Sequence, residues 1–308
     1  MILDYLFPRD VEEAVSILVS HRGRARILAG GTDSFSQLRQ AEREVCVVDI
    51  SNIQDLNRIE HRGKDIEIGA AVTLSHFLET STLAEEVPAL AEAVSRVGSP
   101  QIRNQGTVVG NILTGRAAAN VRVATASLGA FLKVRGPHAE RNIEIDKLDD
   151  KGSKLKSNEV AISLVIPRAP SVRASAYRCF APRKAFSYAA ASVSASVTLE
   201  GGKFSSVSVV ASPILPSLAR LDMEPCNSCA GSCRICRVAH LPELEQALVG
   251  DPATEEEIEQ ACARFDWDSI PMRDSLINGV ADYRRHLLEV LSKRALASAL
   301  FLSGKIQE

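Results

Sequence analysis

The chain has no long apolar run, no excess of either charge and few aromatic residues, and each shortage removes a class of function. No stretch approaches the roughly 20 consecutive apolar residues that a membrane-crossing helix needs, so no span is expected. The first residues, Met1-Ile2-Leu3-Asp4-Tyr5-Leu6-Phe7-Pro8, have neither a basic start nor a long apolar segment, so no secretory signal is read there and a cytoplasmic location is expected. A net charge of −2 gives no electrostatic pull toward nucleic acid or an anionic membrane. Aromatics make up 5% of the chain, too few for a base-stacking surface.

What remains is ordinary globular composition, 45% apolar and 24% charged, in a chain of 308 residues. That length supports two or three lobes, each with its own core. The seven cysteines are unevenly placed. Cys46, Cys179 and Cys262 stand singly in apolar surroundings, where a buried thiol is the expected role. Cys226, Cys229, Cys233 and Cys236 crowd into eleven residues with spacing Cys-x2-Cys-x3-Cys-x2-Cys. In a reducing compartment such crowding points to metal rather than disulfides, and four thiolates can wrap either a [4Fe–4S] cluster or a tetrahedral zinc. Spacing alone does not choose between them, and His240 is a further ligand candidate close by.

Two stretches are poor in side chains. In Leu28-Ala29-Gly30-Gly31-Thr32-Asp33-Ser34, an apolar strand-like run ends in paired glycines and a polar opening onto a helix-compatible segment. Successive backbone N–H groups in such a turn make a concave anion site, suited to a phosphate or pyrophosphate. The second, Gly98-Ser99-Pro100-Gln101-Ile102-Arg103-Asn104-Gln105-Gly106-Thr107-Val108-Val109-Gly110-Asn111, carries Arg103 as its one charge.

Around these loops the patterns predict a helix over 10–19 opened by an Asp10/Glu13 capping box, and a buried strand at Val45–Ile50. Further strands are expected at Ile66–Ala70, Ala130–Val134 and Val160–Ile166, the last ended by Pro167. Thr73-Leu74-Ser75 reads as a helix opening. Helices are expected at Leu83–Val97 and Ala117–Leu128. Strands Ala189–Leu199 and Phe204–Ala211 flank Glu200-Gly201-Gly202-Lys203, a hairpin signature. Two final helices follow, one capped by Thr254 with Glu257 and one over Val280–Leu302. The organisation is read as 1–56, 57–170 and 171–308, the last interrupted at 221–240 by the cysteine segment.

Ala29-Gly30-Gly31-Thr32-Asp33 resembles the first FAD pyrophosphate loop of the flavin subunit of molybdenum hydroxylases, the xanthine dehydrogenase family. Gln101-Ile102-Arg103-Asn104-Gln105-Gly106-Thr107 with Gly110-Asn111 resembles the second loop, in the right order and about 75 residues on. Gly69-Ala70-Ala71-Val72-Thr73, Arg183-Lys184-Ala185-Phe186-Ser187-Tyr188-Ala189 and Tyr283-Arg284-Arg285-His286-Leu287 are further echoes. The resemblance runs from Asp4 to Phe301 and omits the cysteine segment, which is reminiscent of the extra [4Fe–4S] insertion in the 4-hydroxybenzoyl-CoA reductase β subunit.

The resemblance implies an α+β fold of the PCMH/vanillyl-alcohol-oxidase type, with 1–56 and 57–170 as FAD-binding subdomains and 171–308 as a C-terminal α+β subdomain. It implies FAD as cofactor, partners carrying [2Fe–2S] clusters and molybdopterin, and NAD or a ferredoxin-like carrier beyond them. The chain itself would hold no catalytic residue for the organic substrate. Cofactor-binding roles fall on Leu28, Ala29, Gly30, Gly31, Thr32, Asp33 and Ser34 around the pyrophosphate, on Thr107, Gly110 and Asn111 opposite, and on Thr73 and Asn120. Three departures stand out. Val109 replaces a family glycine and predicts a reshaped loop if that position needs φ > 0. Asn120 replaces an aspartate, and Cys179 replaces a lysine whose charge would favour reduced flavin. A self-contained flavin oxidoreductase and a zinc-stabilised assembly subunit without flavin are the rival readings.

Overall fold

The computed structural model describes residues 2–39, 44–115, 119–148, 155–168, 173–183, 188–214, 237–275 and 278–307. The chain opens with β1 (Ile2–Leu6), α1 (Val11–Ser20), β2 (Ala25–Leu28), α2 (Ser34–Arg39) and β3 (Val45–Asp49). It continues with β4 (Ile59–Arg62), β5 (Asp65–Gly69), α3 (Leu74–Glu79), α4 (Ser81–Glu86), α5 (Pro88–Ser95), α6 (Pro100–Gln105), α7 (Val108–Leu113) and α8 (Asn120–Ser127). Then come β6 (Phe131–Arg135), β7 (Glu140–Glu144), β8 (Val160–Ile166), β9 (Arg173–Phe180), β10 (Ala191–Glu200), β11 (Lys203–Ile214) and β12 (Arg237–His240). Helices α9 (Pro242–Leu248), α10 (Glu255–Arg264) and α11 (Ala281–Gln307) end it.

Two compact units are formed, each from three segments of the chain. The first comprises Met1–Thr80, Gly98–Thr114 and Gly129–Arg168, and the second Ser81–Val97, Gly115–Leu128 and Ala169–Glu308.

The first unit holds two sheets. One is parallel, in the order β1-β3-β2, and its middle strand is buried at every residue. A parallel strand covered on both faces reads as a continuous apolar run, as Val45-Cys46-Val47-Val48 does. Leu28, Leu38, Val45 and Val47 form a small core there. Helix α1 is capped by Asp10, which accepts the Glu13 N–H at 2.8 Å, and it buries Ala14, Val15 and Leu18. The second sheet is antiparallel, in the order β4-β5-β8-β6-β7.

The second unit is built on the antiparallel sheet β12-β11-β10-β9. Its two faces are distinguished by their hydrogen bonds. Ser175 accepts the Ala89 N–H of α5, and Ser194 lies 2.7 Å from Ser127 of α8. Arg178, of opposite parity on β9, donates to Ser298 of α11. Covered by helices on both sides, β10 is buried over eight successive residues, and small Ser192, Ser194 and Ser196 admit the α8 side closely.

Several sequence expectations change here. The single helix over 83–97 is two helices, because Pro88 cannot donate a backbone hydrogen bond and instead opens α5 at its first position. Val87 lies between them at φ −136° and ψ 60°, outside the helical region, and still buries its side chain. Strand β1 went unread because Leu3, Asp4 and Tyr5 are all exposed; it is a strand through parallel pairing with β3. Strand β7, Glu-Arg-Asn-Ile-Glu, is polar and pairs only with β6. The hairpin forms as expected, Glu200 pairing with Lys203 across Gly201 and Gly202, both at positive φ.

Candidate functional site

Both glycine stretches belong to the first unit, and they touch. A Cβ on Gly30 would stand 1.8 Å from the Gln105 carbonyl oxygen and 2.9 Å from the Gly106 Cα. No side chain fits there, so Gly30 is required by the approach of one loop to the other. Gly31 is required for a different reason: its φ of +68° is a left-handed conformation that side chains resist. A Cβ on Gly106 would in turn meet the Thr32 hydroxyl at 3.3 Å.

The first loop leaves the C-terminal end of β2, where Leu28 pairs with Asp49 and accepts the Ile50 N–H at 2.8 Å. Phe35 then donates to the Gly31 carbonyl as α2 begins at Ser34. Between those points, among the described residues, the backbone N–H groups of Ala29, Gly30, Gly31 and Thr32 donate to no acceptor. Undonated N–H groups on a side-chain-free backbone at the end of a parallel strand are the donor set an anionic diphosphate requires.

The second loop is largely self-satisfied. Thr107 and Thr73 form an antiparallel bridge, with Leu74 N–H on the Gly106 carbonyl at 2.8 Å and Val108 N–H on the Val72 carbonyl at 3.1 Å. Each threonine also caps a helix: Thr73 accepts from His76, and Thr107 from Gly110 at 3.0 Å. The cap explains Gly110, since a Cβ there would lie 2.6 Å from the Thr107 hydroxyl. Asn111 is different. Its Oδ1 is buried and meets no hydrogen-bond partner among the described residues. A buried acceptor left unmet costs about 1–3 kcal/mol, and a ligand hydroxyl or N–H would recover it.

Val109 needs no reshaped loop. It lies in the first turn of α7, 2% exposed, and Arg22 is the one non-glycine residue at positive φ among those described. A β-branched residue is tolerated because this position is helical and faces the core.

Asn120 belongs to the second unit as the first residue of α8, and its Oδ1 is likewise buried without a partner among the described residues. Cys179 is also there, half-buried on β9. Burial pushes its thiol up, while the nearby Arg96 guanidinium pulls the other way. Tyr177, fully buried beside it, is pushed well above the usual phenol range by the same desolvation.

Sequence reading missed the polar tie that fixes the end of β3. Tyr5 donates to Asp49 Oδ2 at 2.5 Å, and Asp49 Oδ1 accepts the Ser51 N–H at 2.9 Å. Burial and the Asp49 carboxylate together push the Tyr5 phenol up to about 12. The one available signal was a tyrosine and an aspartate at the ends of two apolar stretches, which does not single them out.

Cys226, Cys229, Cys233 and Cys236, and Lys184 to Ser187 of the later motif, lie outside the described residues. Among the described residues, no three His, Cys, Asp or Glu side chains gather as a metal site. No described helix is long and apolar enough to cross a membrane.

Comparison with known proteins gives matches over the whole chain. The FAD binding domain in molybdopterin dehydrogenase matches residues 1–169, and the CO dehydrogenase flavoprotein C-terminal domain matches residues 226–299. The 6-hydroxypseudooxynicotine dehydrogenase complex subunit alpha of Paenarthrobacter nicotinovorans is 27% identical over 311 residues, covering 99% of this chain and 97% of its own. The carbon monoxide dehydrogenase medium chain of Hydrogenophaga pseudoflava is 26% identical over 300 residues, 96% of each chain. Among solved structures, a carbon monoxide dehydrogenase from Hydrogenophaga pseudoflava lacking the Mo-pyranopterin moiety superposes with a TM-score of 0.82 at 23% identity over 98% of both chains.

Proposed function

The chain belongs to the family of FAD-binding domains in molybdopterin dehydrogenases, and from that premise we propose that it relays electrons between partner [2Fe–2S] clusters and an external carrier. It is a flavin-binding oxidoreductase subunit with an α+β fold of the PCMH/vanillyl-alcohol-oxidase type and a C-terminal α+β subdomain. Bound FAD supplies the chemistry that converts between paired and single electron transfers.

The observation that carries the site assignment is the contact of Gly30 with Gln105 and Gly106, which brings the two loops to one place. On this reading the N–H groups from Ala29 to Ser34 hold the pyrophosphate, with the Thr32 and Ser34 hydroxyls as further donors. Leu28 anchors the loop to its sheet. Thr73 and Thr107 hold the second loop rigid by capping α3 and α7, and Gly110 permits that cap. Asn111 offers its unmet Oδ1 to a hydroxyl or N–H of the cofactor, and Asn120 is kept as a cofactor-binding residue on the family resemblance alone. Asp33 keeps its place in the loop as a polar turn residue. The division into 1–56, 57–170 and 171–308 is kept as the corresponding set of subdomains.

Membership of a multi-subunit complex with [2Fe–2S] and molybdopterin partners is supported by relatives described as a complex subunit alpha and a medium chain. The four cysteines from Cys226 to Cys236 are assigned a [4Fe–4S] cluster, with zinc as the alternative. A cluster would extend the electron path to a ferredoxin-like carrier, and without it NAD would be the acceptor. The location is read as cytoplasmic.

The test is an absorbance spectrum of the anaerobically purified chain, with iron and zinc analysis and a count of co-purifying subunits. Visible flavin bands with an iron–sulfur shoulder and larger partners are expected. Flavin without partners would favour a self-contained oxidoreductase. Zinc with no flavin would favour the assembly subunit and overturn the site assignment.

A further inference from the structure

We propose that Tyr5 is a positioning residue for the first glycine loop: through Asp49 it fixes the strand ends from which the diphosphate-binding backbone leaves the sheet. The inference deepens the cofactor-site reading above and rests on it.

Asp49 is the one charged residue in the buried run Val45-Cys46-Val47-Val48-Asp49-Ile50, and it is 8% exposed. Both of its oxygens are held by neutral donors, the Tyr5 hydroxyl on Oδ2 at 2.5 Å and the Ser51 N–H on Oδ1 at 2.9 Å. Among the described residues no cation pairs with it. A buried carboxylate without a cation is a costly way to end a strand, and an apolar residue would be less costly to bury there. Stability therefore does not account for the pair; placement does.

The pair sits where β2 and β3 end together. Tyr5 is the register partner of Val47, and Leu28 that of Asp49. Register partners on adjacent strands face the same side of a sheet, so these four side chains share one face. Leu28 and Val47 form the small core there with Leu38 of α2. Leu28 then carries the constraint into the loop in two ways. Its carbonyl accepts the N–H of Ile50, the residue after Asp49, at 2.8 Å, and its Cδ1 would lie 3.6 Å from a Cβ on Gly31. A loop stripped of side chains has little packing of its own to hold its N–H groups in place. Its geometry must be imposed by hydrogen bonds from behind, and the Tyr5–Asp49–Ser51 tie supplies them at the strand end.

The experiment titrates the apoprotein of the full chain with FAD and with ADP, which shares the diphosphate but lacks the flavin. Tyr5→Phe is expected to weaken both about tenfold. Asp49→Ala should weaken both at least as much, and Y5F/D49A no further than Asp49→Ala, because Tyr5 acts through Asp49. Asp10→Ala, which removes the cap of α1, is the stability control: its melting temperature falls and its FAD affinity stays at the wild-type value. Equal FAD affinity in wild type and Tyr5→Phe overturns the proposal. So does a loss confined to FAD with ADP binding unchanged, or a double-variant loss equal to the sum of the two single losses. An Asp10→Ala variant that loses as much affinity as Tyr5→Phe overturns it too, since destabilisation alone then accounts for the effect. A wild-type chain that binds neither ligand overturns the site assignment and this proposal with it, whereas wild-type binding with an indifferent Tyr5→Phe overturns this proposal alone.

Discussion

Gly30 lies against the carbonyl of Gln105 so closely that a Cβ at that position would be 1.8 Å from the oxygen. Two loops far apart in sequence are thereby fixed to each other by the absence of a side chain.

The Gly30→Ala variant must therefore push the loops apart. Overpacking against backbone costs about 1–3 kcal/mol even where the surroundings yield. A lower melting temperature is expected together with loss of most bound flavin. Gly63→Ala is the comparison: a Cβ there meets nothing within 4 Å, though its φ of +63° still carries the left-handed cost. It should lower stability without emptying the site. The flavin-to-protein absorbance ratio checks both.

Asn111 separates binding from folding. Its buried Oδ1 meets no partner among the described residues, so replacing it with Leu removes an unmet acceptor from the apoprotein. Apoprotein stability should hold or rise, while flavin affinity falls about tenfold, the equivalent of one hydrogen bond of roughly 1.4 kcal/mol. Titration of apoprotein with FAD, beside a thermal melt, reads the two effects apart. A variant that binds flavin as tightly as wild type would remove Asn111 from the site.

Glu67 should govern part of the acid stability of the first unit. Burial by itself would raise its carboxyl, but the Ser163 hydroxyl at 2.6 Å, Lys133 at 3.0 Å and Arg62 at 3.2 Å bring it below the usual value. A depressed folded-state pKa means stability that is present above the ordinary glutamate range and lost as pH falls through the folded value. Glu67→Gln should lower stability at neutral pH and flatten its decline on acidification, as followed by denaturant midpoints between neutral and acid pH.

Tyr5 works in the opposite direction. Its phenol is pushed up to about 12 from 10.0, so the folded state holds the proton more tightly than the unfolded chain. The stabilisation is complete below about pH 10 and is lost as pH rises toward 12. Because Tyr5 is 39% exposed, the effect is screened and small. Tyr5→Phe should lose the alkaline decline, measured as the difference in melting temperature across that window.

Much of the local structure was legible because it depends on residues close in sequence. Asp10 capping α1 and Thr254 capping α10 are contacts across three residues. The Gly201-Gly202 hairpin is set by which residues tolerate positive φ. The break at Pro88 was equally local; the apolar spacing of Leu83, Leu90 and Val94 simply outweighed it in a reading by periodicity. Strands β1 and β7 were invisible for a different reason: β7 is polar, β1 leaves its three central residues exposed, and each is an edge strand that pairs with a single neighbour.

The sequence by itself determined that two stretches would be stripped of side chains and edged with small polar residues, because such residue choices act within a few positions of themselves. Tertiary structure decided which donors in those stretches remain available, that Val109 turns inward on a helix, and that Asn111 is left with an unmet acceptor. Those outcomes depend on contacts between segments tens of residues apart, and no pattern along the chain records where a distant carbonyl comes to rest.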